Sequence, residues 1–147
     1  MNVGVLAWVI VLAPPVEQEQ TIVTEMHNES QRLRKQYNLK PQKLDENCCK
    51  IAQKWAEHMA AHHSMYHGGG EQIIAAGYKD VKSAFGGWMA SSGHRYWVLS
   101  GRDLAGWGAA KSSTGRWYWV GVFRNSKKKT TTYYYTPSRR FRLLRRR

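Results

Sequence analysis

Histidine is the residue type whose number and spacing in this chain suggest chemistry. Imidazole titrates near neutral pH and is a common metal ligand, so histidines grouped with a carboxylate can transfer protons or bind a metal. Four of the six histidines crowd one stretch, a glutamate follows four residues after the last of them, and a further histidine comes 23 residues later. These residues are His58, His62, His63, His67, Glu71 and His94.

The common short catalytic motifs do not occur in this sequence. Glu57-His58 lacks the second histidine of a zincin metalloprotease, and there is no Gly-x-Ser-x-Gly, P-loop or dinucleotide fingerprint. His58 and His62 are four residues apart and so face the same side of a helix, where they could bind a metal. Two solvated histidines on a polar face are the simpler interpretation of that pair.

The apolar pattern predicts helices first and strands afterwards. Residues 18–37 have a helical pattern, and Asp45 and Asp80 are suitable N-caps for a second and a third helix. Residues 104–110 and 117–123 are predicted to form two strands of a hairpin, the first rich in glycine and able to pack closely against a neighbour. This order favours an α+β layer fold. The second helix has a predicted buried stripe made of Cys48, Ile51, Ala52, Trp55, Ala56 and Met59.

Four groups of motifs, in the same order, resemble those of the CAP superfamily, which includes cysteine-rich secretory proteins, antigen 5 and plant pathogenesis-related proteins. Each motif alone has low specificity, but their common order over residues 18–124 makes coincidence a poor explanation. The first is the helix at 51–60, which in the family precedes a cavity histidine that falls on His67 here. The second is Gly70-Glu71-Gln72-Ile73, which is similar to Gly-Glu-Asn-Ile, and the third is residues 87–95, which are similar to the bacterial Trp-x-x-Ser-x-Gly-His-Arg signature. The fourth is the pair of core strands around 105–108 and 117–120.

The resemblance implies a three-layer α–β–α sandwich with a central antiparallel sheet. It also implies a cleft that gathers His67, Glu71 and His94, where the two histidines could hold zinc or another divalent metal. Many members place a second cleft glutamate where this chain has Ser91. The same three residues are the candidates for a catalytic role, or they form a simple hydrogen-bond network.

The resemblance and the aromatic residues together favour a binding module over an enzyme. Tyr66, Tyr96 and Trp97 flank the expected cleft and are candidates for a wall that contacts lipid or sugar. Family members are associated with lipid binding and with cell-wall or host interaction, so we expect a lipid, sugar or cell-surface ligand. The alternative is a metal-assisted hydrolase that uses His67, His94 and Glu71.

The two ends of the chain differ from its centre. Residues 1–15 contain an eleven-residue apolar run at 3–13, which indicates a signal peptide, an uncleaved anchor or a buried segment. A signal peptide implies a secreted or cell-envelope-associated protein. Nine of the basic residues behind the net charge of +13 lie after Ser126, which leaves +4 for residues 1–126. The segment 126–147 is therefore predicted to be a basic tail, and Cys48 and Cys49 are too close to pair with each other.

We expect the basic tail to contact anionic surfaces without specific recognition of nucleic acid. A solvated tail, or docking of Tyr133 to Tyr135 on a sheet edge, are the alternatives. Truncation after Ser126 should leave the thermal stability nearly unchanged, because few aliphatic residues follow. It should abolish co-sedimentation with anionic vesicles at low salt, where screening is weakest. A truncated protein that unfolds, or that binds vesicles as well as the full chain does, would contradict this division.

Overall fold

A computed structural model describes residues 15–126 of the chain. The predicted apolar segment up to Pro14 and the basic tail after Ser126 lie outside the described residues. Within the described part, none of the helices has the combination of length and apolar character that crossing a membrane requires.

The described residues form four helices and four strands. Asp45 accepts a hydrogen bond from the backbone N–H of Cys48 at 2.8 Å, and Asp80 accepts one from Ser83 at 2.8 Å, so both predicted N-caps are confirmed. The elements are α1 (Pro15–Gln36), β1 (Lys43–Leu44), α2 (Glu46–Ala61), β2 (Gln72–Ala76), α3 (Val81–Ala90), α4 (Ser92–Val98), β3 (Leu104–Lys111) and β4 (Trp117–Arg124).

The strands form one sheet in the order β1-β3-β4-β2. The predicted hairpin is confirmed, with Leu104 of β3 opposite Arg124 of β4 in antiparallel register. β2 joins β4 on the other side, also antiparallel. The predicted central antiparallel sheet is thus formed by β3, β4 and β2, and the two-residue strand β1 adds a parallel pair at the start of β3 that makes the sheet mixed.

Helices cover both faces of the sheet, which confirms the three-layer α–β–α sandwich. Side chains alternate across a strand, so successive residues of β4 point to opposite layers. Trp119 and Phe123 pack with α1, α3 and α4, whereas Tyr118, Val120 and Val122 pack with α2. Each layer therefore has its own apolar core.

Helix α2 lies directly against the backbone of β3. A Cβ atom on Gly106 would overlap the backbone of Cys48 and Cys49, and one on Gly108 would overlap the backbone of Ala52 and Gln53. The predicted close packing of the glycine-rich strand is thus confirmed. The predicted buried stripe of α2 needs two corrections, because Ile51 is 38% exposed and Trp55 is only partly buried.

The side chain of Gln53 closes part of the free edge of β3. Its amide oxygen accepts a hydrogen bond from the Ala109 N–H at 3.1 Å, and its amide nitrogen donates to the Ala109 carbonyl at 3.1 Å. This reproduces the pair of bonds that a neighbouring strand would make. Unpaired strand edges favour unwanted pairing between chains, so the glutamine protects this edge where β1 has already ended.

The close approach of α2 predicts a contrast between two glycines. Gly106→Ala should destabilise the fold by about 3 kcal/mol or more, because the methyl group must displace helix backbone. Gly93→Ala is the matched control: nothing lies within 4 Å of its Cβ position, and it stands inside helix α4. The control should be neutral or stabilise by up to about 1 kcal/mol. Chemical denaturation of both variants measures the difference, and equal stabilities would contradict the packing.

Candidate functional site

The loop that carries His67 is anchored on both sides of that residue. The Trp55 indole donates a hydrogen bond to the Tyr66 carbonyl at 2.9 Å. Gly68 lies flat on the same indole, since a Cβ there would come within 2.7 Å of the ring, and its N–H donates to the Gln72 side chain at 2.9 Å. His67 is exposed between these two fixed neighbours. Its position is therefore set although the loop belongs to no helix or strand.

Glu71 is held by an arginine that the sequence analysis did not single out. Arg102 donates through Nε to one carboxylate oxygen of Glu71 at 2.7 Å and through Nη2 to the other, so the ion pair is bidentate. The hydrogen bond to Glu71 raises the pKa of Arg102 above its ordinary value. The main chains of both residues are also fixed, because Phe123 N–H donates to the Glu71 carbonyl and Gln42 donates to the Arg102 carbonyl.

His94 lies on the short helix α4, which the sequence analysis missed. α3 ends at Ala90, and α4 starts at Ser92, directly after Ser91. The Arg95 N–H donates to the Ser91 carbonyl at 2.8 Å, and the Arg95 guanidinium donates back to the Met89 carbonyl at 2.9 Å. These two bonds set the angle between α3 and α4 and thereby the position of His94.

His67 and His94 are electrostatic neighbours. Partial burial lowers the pKa of His94 below its ordinary value, and the charge of His67 lowers it further. Both effects disfavour the imidazolium, because burial removes water and a nearby positive charge repels it. At neutral pH the His94 imidazole is therefore uncharged.

Of the three predicted ligand-binding aromatic residues, Tyr96 and Trp97 contact each other, whereas Tyr66 packs against Trp55. Tyr96 is 65% exposed and meets Trp97 edge to face, with ring centroids 5.2 Å apart. Trp97 stacks on buried Phe123, and the Arg102 guanidinium lies 5.7 Å from its ring centroid. Tyr66 instead packs edge-on against Trp55 at 5.2 Å.

His67, His94 and Glu71 do not form a three-ligand metal site in the structure. Across residues 15–126, no group of three or more histidine, cysteine, aspartate or glutamate side chains is placed to hold a metal ion. His67 and His94 offer two imidazoles, but both oxygens of Glu71 accept hydrogen bonds from Arg102. Zinc at this position stays a prediction, and it requires Glu71 to leave its arginine.

The remaining histidines of the stretch are engaged in local contacts. His58 stacks on Trp55 with ring centroids 4.9 Å apart, and its Nε2 is hydrogen bonded to the Tyr66 hydroxyl. The His62 ring donates to the His58 carbonyl at 2.8 Å, which is the packing of a polar helix face. The rings of His58 and His62 lie 4.2 Å apart, so their shared face is confirmed.

A cavity of about 650 Å³ lies away from these residues, between the N-terminal half of α1 and α2. Its lining includes Val23, Leu44 and Cys49 but none of the predicted site residues. The cavity is therefore separate from the candidate site residues. Burial raises the pKa of Cys49, so its thiol is protonated at neutral pH and is a poor nucleophile.

The model of the CAP, or cysteine-rich secretory protein, family matches residues 25–123. The chain belongs to the CAP family. The match runs from the middle of α1 into β4 and includes every residue of the candidate cleft. No curated protein matches the chain at the level of sequence.

Solved CAP-type structures share the fold at low sequence identity. An outer surface protein of Borrelia burgdorferi superimposes with a TM-score of 0.65 and 20% identity, covering 71% of this chain and 92% of that protein. An extracellular protein with an SCP domain from Bacillus anthracis gives 0.60 and 17%, covering 77% and 45%. The hookworm platelet inhibitor gives 0.53 and 14%, covering 84% and 77%.

The electrostatic contact between the two cleft histidines can be measured. His67→Ala should raise the pKa of His94 towards 6.5 without reaching it, because the repulsion is lost and the burial remains. NMR titration of the imidazole signals reports this, and His62→Ala, at the C-cap of α2, serves as the control. Because the folded pKa is depressed, the stability due to neutral His94 is complete above pH 6.5 and falls as the pH drops through the folded pKa. An unchanged His94 pKa in His67→Ala would show that the imidazoles do not share a cleft.

Proposed function

We propose that this protein is an exported CAP-domain binding module, and that its ligand lies in the cleft formed by His67, His94, the Glu71–Arg102 pair and the aromatic wall of Tyr96 and Trp97. The observation that supports this most is the wall itself. Tyr96 is 65% exposed while its neighbour Trp97 is fixed against Phe123 and Arg102. An exposed ring on a rigid support binds a ligand at a small cost in entropy.

The polar groups of the cleft suit an uncharged or amphipathic ligand. Glu71 and Arg102 cancel each other's charge, and burial keeps His94 neutral at ordinary pH. The cleft then offers imidazole nitrogens as hydrogen-bonding groups beside two aromatic faces. A lipid with a small polar head, or a sugar stacked on Tyr96, fits this chemistry.

The metal-assisted hydrolase has less support. Among the described residues, no serine or cysteine side chain hydrogen bonds to His67 or His94, so no nucleophile is activated there. Glu71 would have to leave Arg102 before it could act as a base or complete a zinc site with the two imidazoles. Zinc binding in this cleft is therefore proposed only as a state in which that ion pair is open.

Export is supported by the apolar run at residues 3–13 and by the fold relatives. Two of the structural neighbours are described as an outer surface protein and an extracellular protein. A cell-envelope or secreted location would bring the cleft close to the lipid and sugar ligands proposed above.

Removal of the exposed ring tests the proposal. Tyr96→Ala should weaken the binding of palmitate or of chitotriose, taken as lipid and sugar probes, by roughly tenfold, since one stacked aromatic contributes about 1–3 kcal/mol. Tyr37→Ala is the control, because Tyr37 is a comparably exposed tyrosine (52%) directly after helix α1 and is not one of the proposed cleft residues. NMR titration of the amide signals from His94 to Arg102 locates the binding. If neither probe shifts those signals, or if both variants lose affinity equally, the proposed site is wrong.

A further inference from the structure

A second cleft lies at the opposite end of the sheet from the histidines. His67, Glu71 and Arg102 are near the start of β2 and β3, whereas this cleft is at the end of β2 and β3 and the start of β4. The eight residues of β3 separate the two ends by roughly 25 Å. The second cleft, with a volume of about 480 Å³, is lined by residues that include Gly77, Lys79, Lys111, Gly115, Arg116 and Trp117.

Three cations and no carboxylate line this cleft. Lys79 comes from the loop after β2, and Lys111 and Arg116 lie on either side of the turn between β3 and β4. None of the three is within ion-pair distance of an acid in the part of the chain that the structure describes. Asp80, next to Lys79, caps α3 at Ser83 and attracts Lys79 only at longer range. The cleft therefore gathers three cations, of which Lys79 has one acidic neighbour outside ion-pair distance.

Two of the cations are oriented by aromatic rings and by a glycine. The Lys111 ammonium lies 5.4 Å from the centroid of Trp117, and the Arg116 guanidinium lies 5.9 Å from that of Tyr118. Gly77 has a φ of +87°, a backbone conformation that favours glycine, and the Arg116 guanidinium lies in van der Waals contact with it, with Nε 3.7 Å from the Cβ position. These contacts reduce the number of rotamers that each cation would lose on binding an anion.

The loops that carry the cations are tied to the sheet. Gly77 N–H donates to the Trp117 carbonyl at 2.9 Å, and the Trp119 indole donates to the Tyr78 carbonyl at 3.1 Å. The Tyr78 hydroxyl lies so close to Gly87 of α3 that no side chain would fit there. Lys79, directly after Tyr78, is therefore presented from a fixed loop.

We propose that this second cleft binds a phosphate group carried by its ligand. Phosphate carries several charged oxygens, which one guanidinium and two ammonium groups can share. The volume of about 480 Å³ leaves room for the glycerol or sugar to which a phosphate ester is attached, with Trp117 as an apolar contact. This site is separate from the histidine cleft and does not depend on the function proposed for it.

Residue-resolved NMR on the full chain tests the site with pyrophosphate as the probe. Pyrophosphate should shift the amide signals of Gly77 and Gly115 in a saturable way. The basic tail also attracts anions, but its signals are distinct from these two glycines. In the triple variant Lys79→Gln, Lys111→Gln, Arg116→Gln, the apparent affinity at the two glycines should fall by at least about tenfold, since each cation contributes on the order of a fewfold.

A charge-matched variant separates the cleft from the overall charge. Lys35→Gln, Lys40→Gln, Lys54→Gln removes three exposed cations outside the cleft and should keep the affinity at Gly77 and Gly115 within about twofold, because screening limits long-range effects. No saturable shift at these glycines in the wild type, or equal losses in the two triple variants, would overturn the proposal.

Vesicles identify the source of the phosphate. Co-sedimentation with phosphatidic acid vesicles, with phosphatidylcholine vesicles as the blank, should be weaker for the cleft variant than for the charge-matched variant if the ligand is a lipid headgroup. If the two variants sediment equally while pyrophosphate still distinguishes them, the cleft recognises a soluble phosphate ester.

Discussion

The arrangement of the histidine cleft depends on the buried guanidinium of Arg34. This side chain is 3% exposed, and among the described residues it has no carboxylate partner. It donates instead to the carbonyls of Lys40, Val98 and Ser100, at 2.7 to 3.1 Å. Burial of a charge is costly unless its hydrogen bonds are satisfied, and burial lowers the pKa of Arg34 accordingly.

One residue of α1 thus fixes the end of α4, which carries His94, and the loop that leads to Arg102. Gln31, one turn earlier in α1, also fixes this region, because its side-chain oxygen accepts a hydrogen bond from the Gln42 N–H at 2.9 Å.

The other half of the cleft is positioned by the contact between α2 and the sheet. Gly106 and Gly108 allow α2 to lie on β3, and this places Trp55 beside the loop that follows the helix. The indole then orients the loop through the Tyr66 carbonyl and the flat face of Gly68. His67 comes from the layer of α2 and His94 from the layer of α3 and α4, so the cleft exists only when both layers are packed on the same sheet.

Local signals predicted the elements well and the contacts between distant residues poorly. The caps at Asp45 and Asp80 and the hairpin of β3 and β4 depend on neighbouring residues, and they were found. Strand β2 spans five residues, of which four are apolar. Such a run is too short for periodicity to separate it from a loop, and the strand is defined by pairing with β4. The Glu71–Arg102 pair joins residues 31 positions apart, and no spacing rule connects them. The family resemblance located Glu71 but could not indicate that an arginine binds both of its oxygens.

That ion pair determines the electrostatic state of the cleft. With Glu71 neutralised by Arg102, the cleft has no net negative charge to attract a cation, and its charge depends on the two histidines. Acidification charges His94 only below the ordinary histidine range, because burial and the charge of His67 depress its pKa. A ligand that binds beside neutral His94 would therefore meet a more cationic surface once the pH falls below the His94 pKa. The second cleft is lined by Lys79, Lys111 and Arg116 and by no carboxylate. The two ends of one sheet thus differ in chemistry: one places imidazoles beside an aromatic wall, and the other gathers cationic side chains.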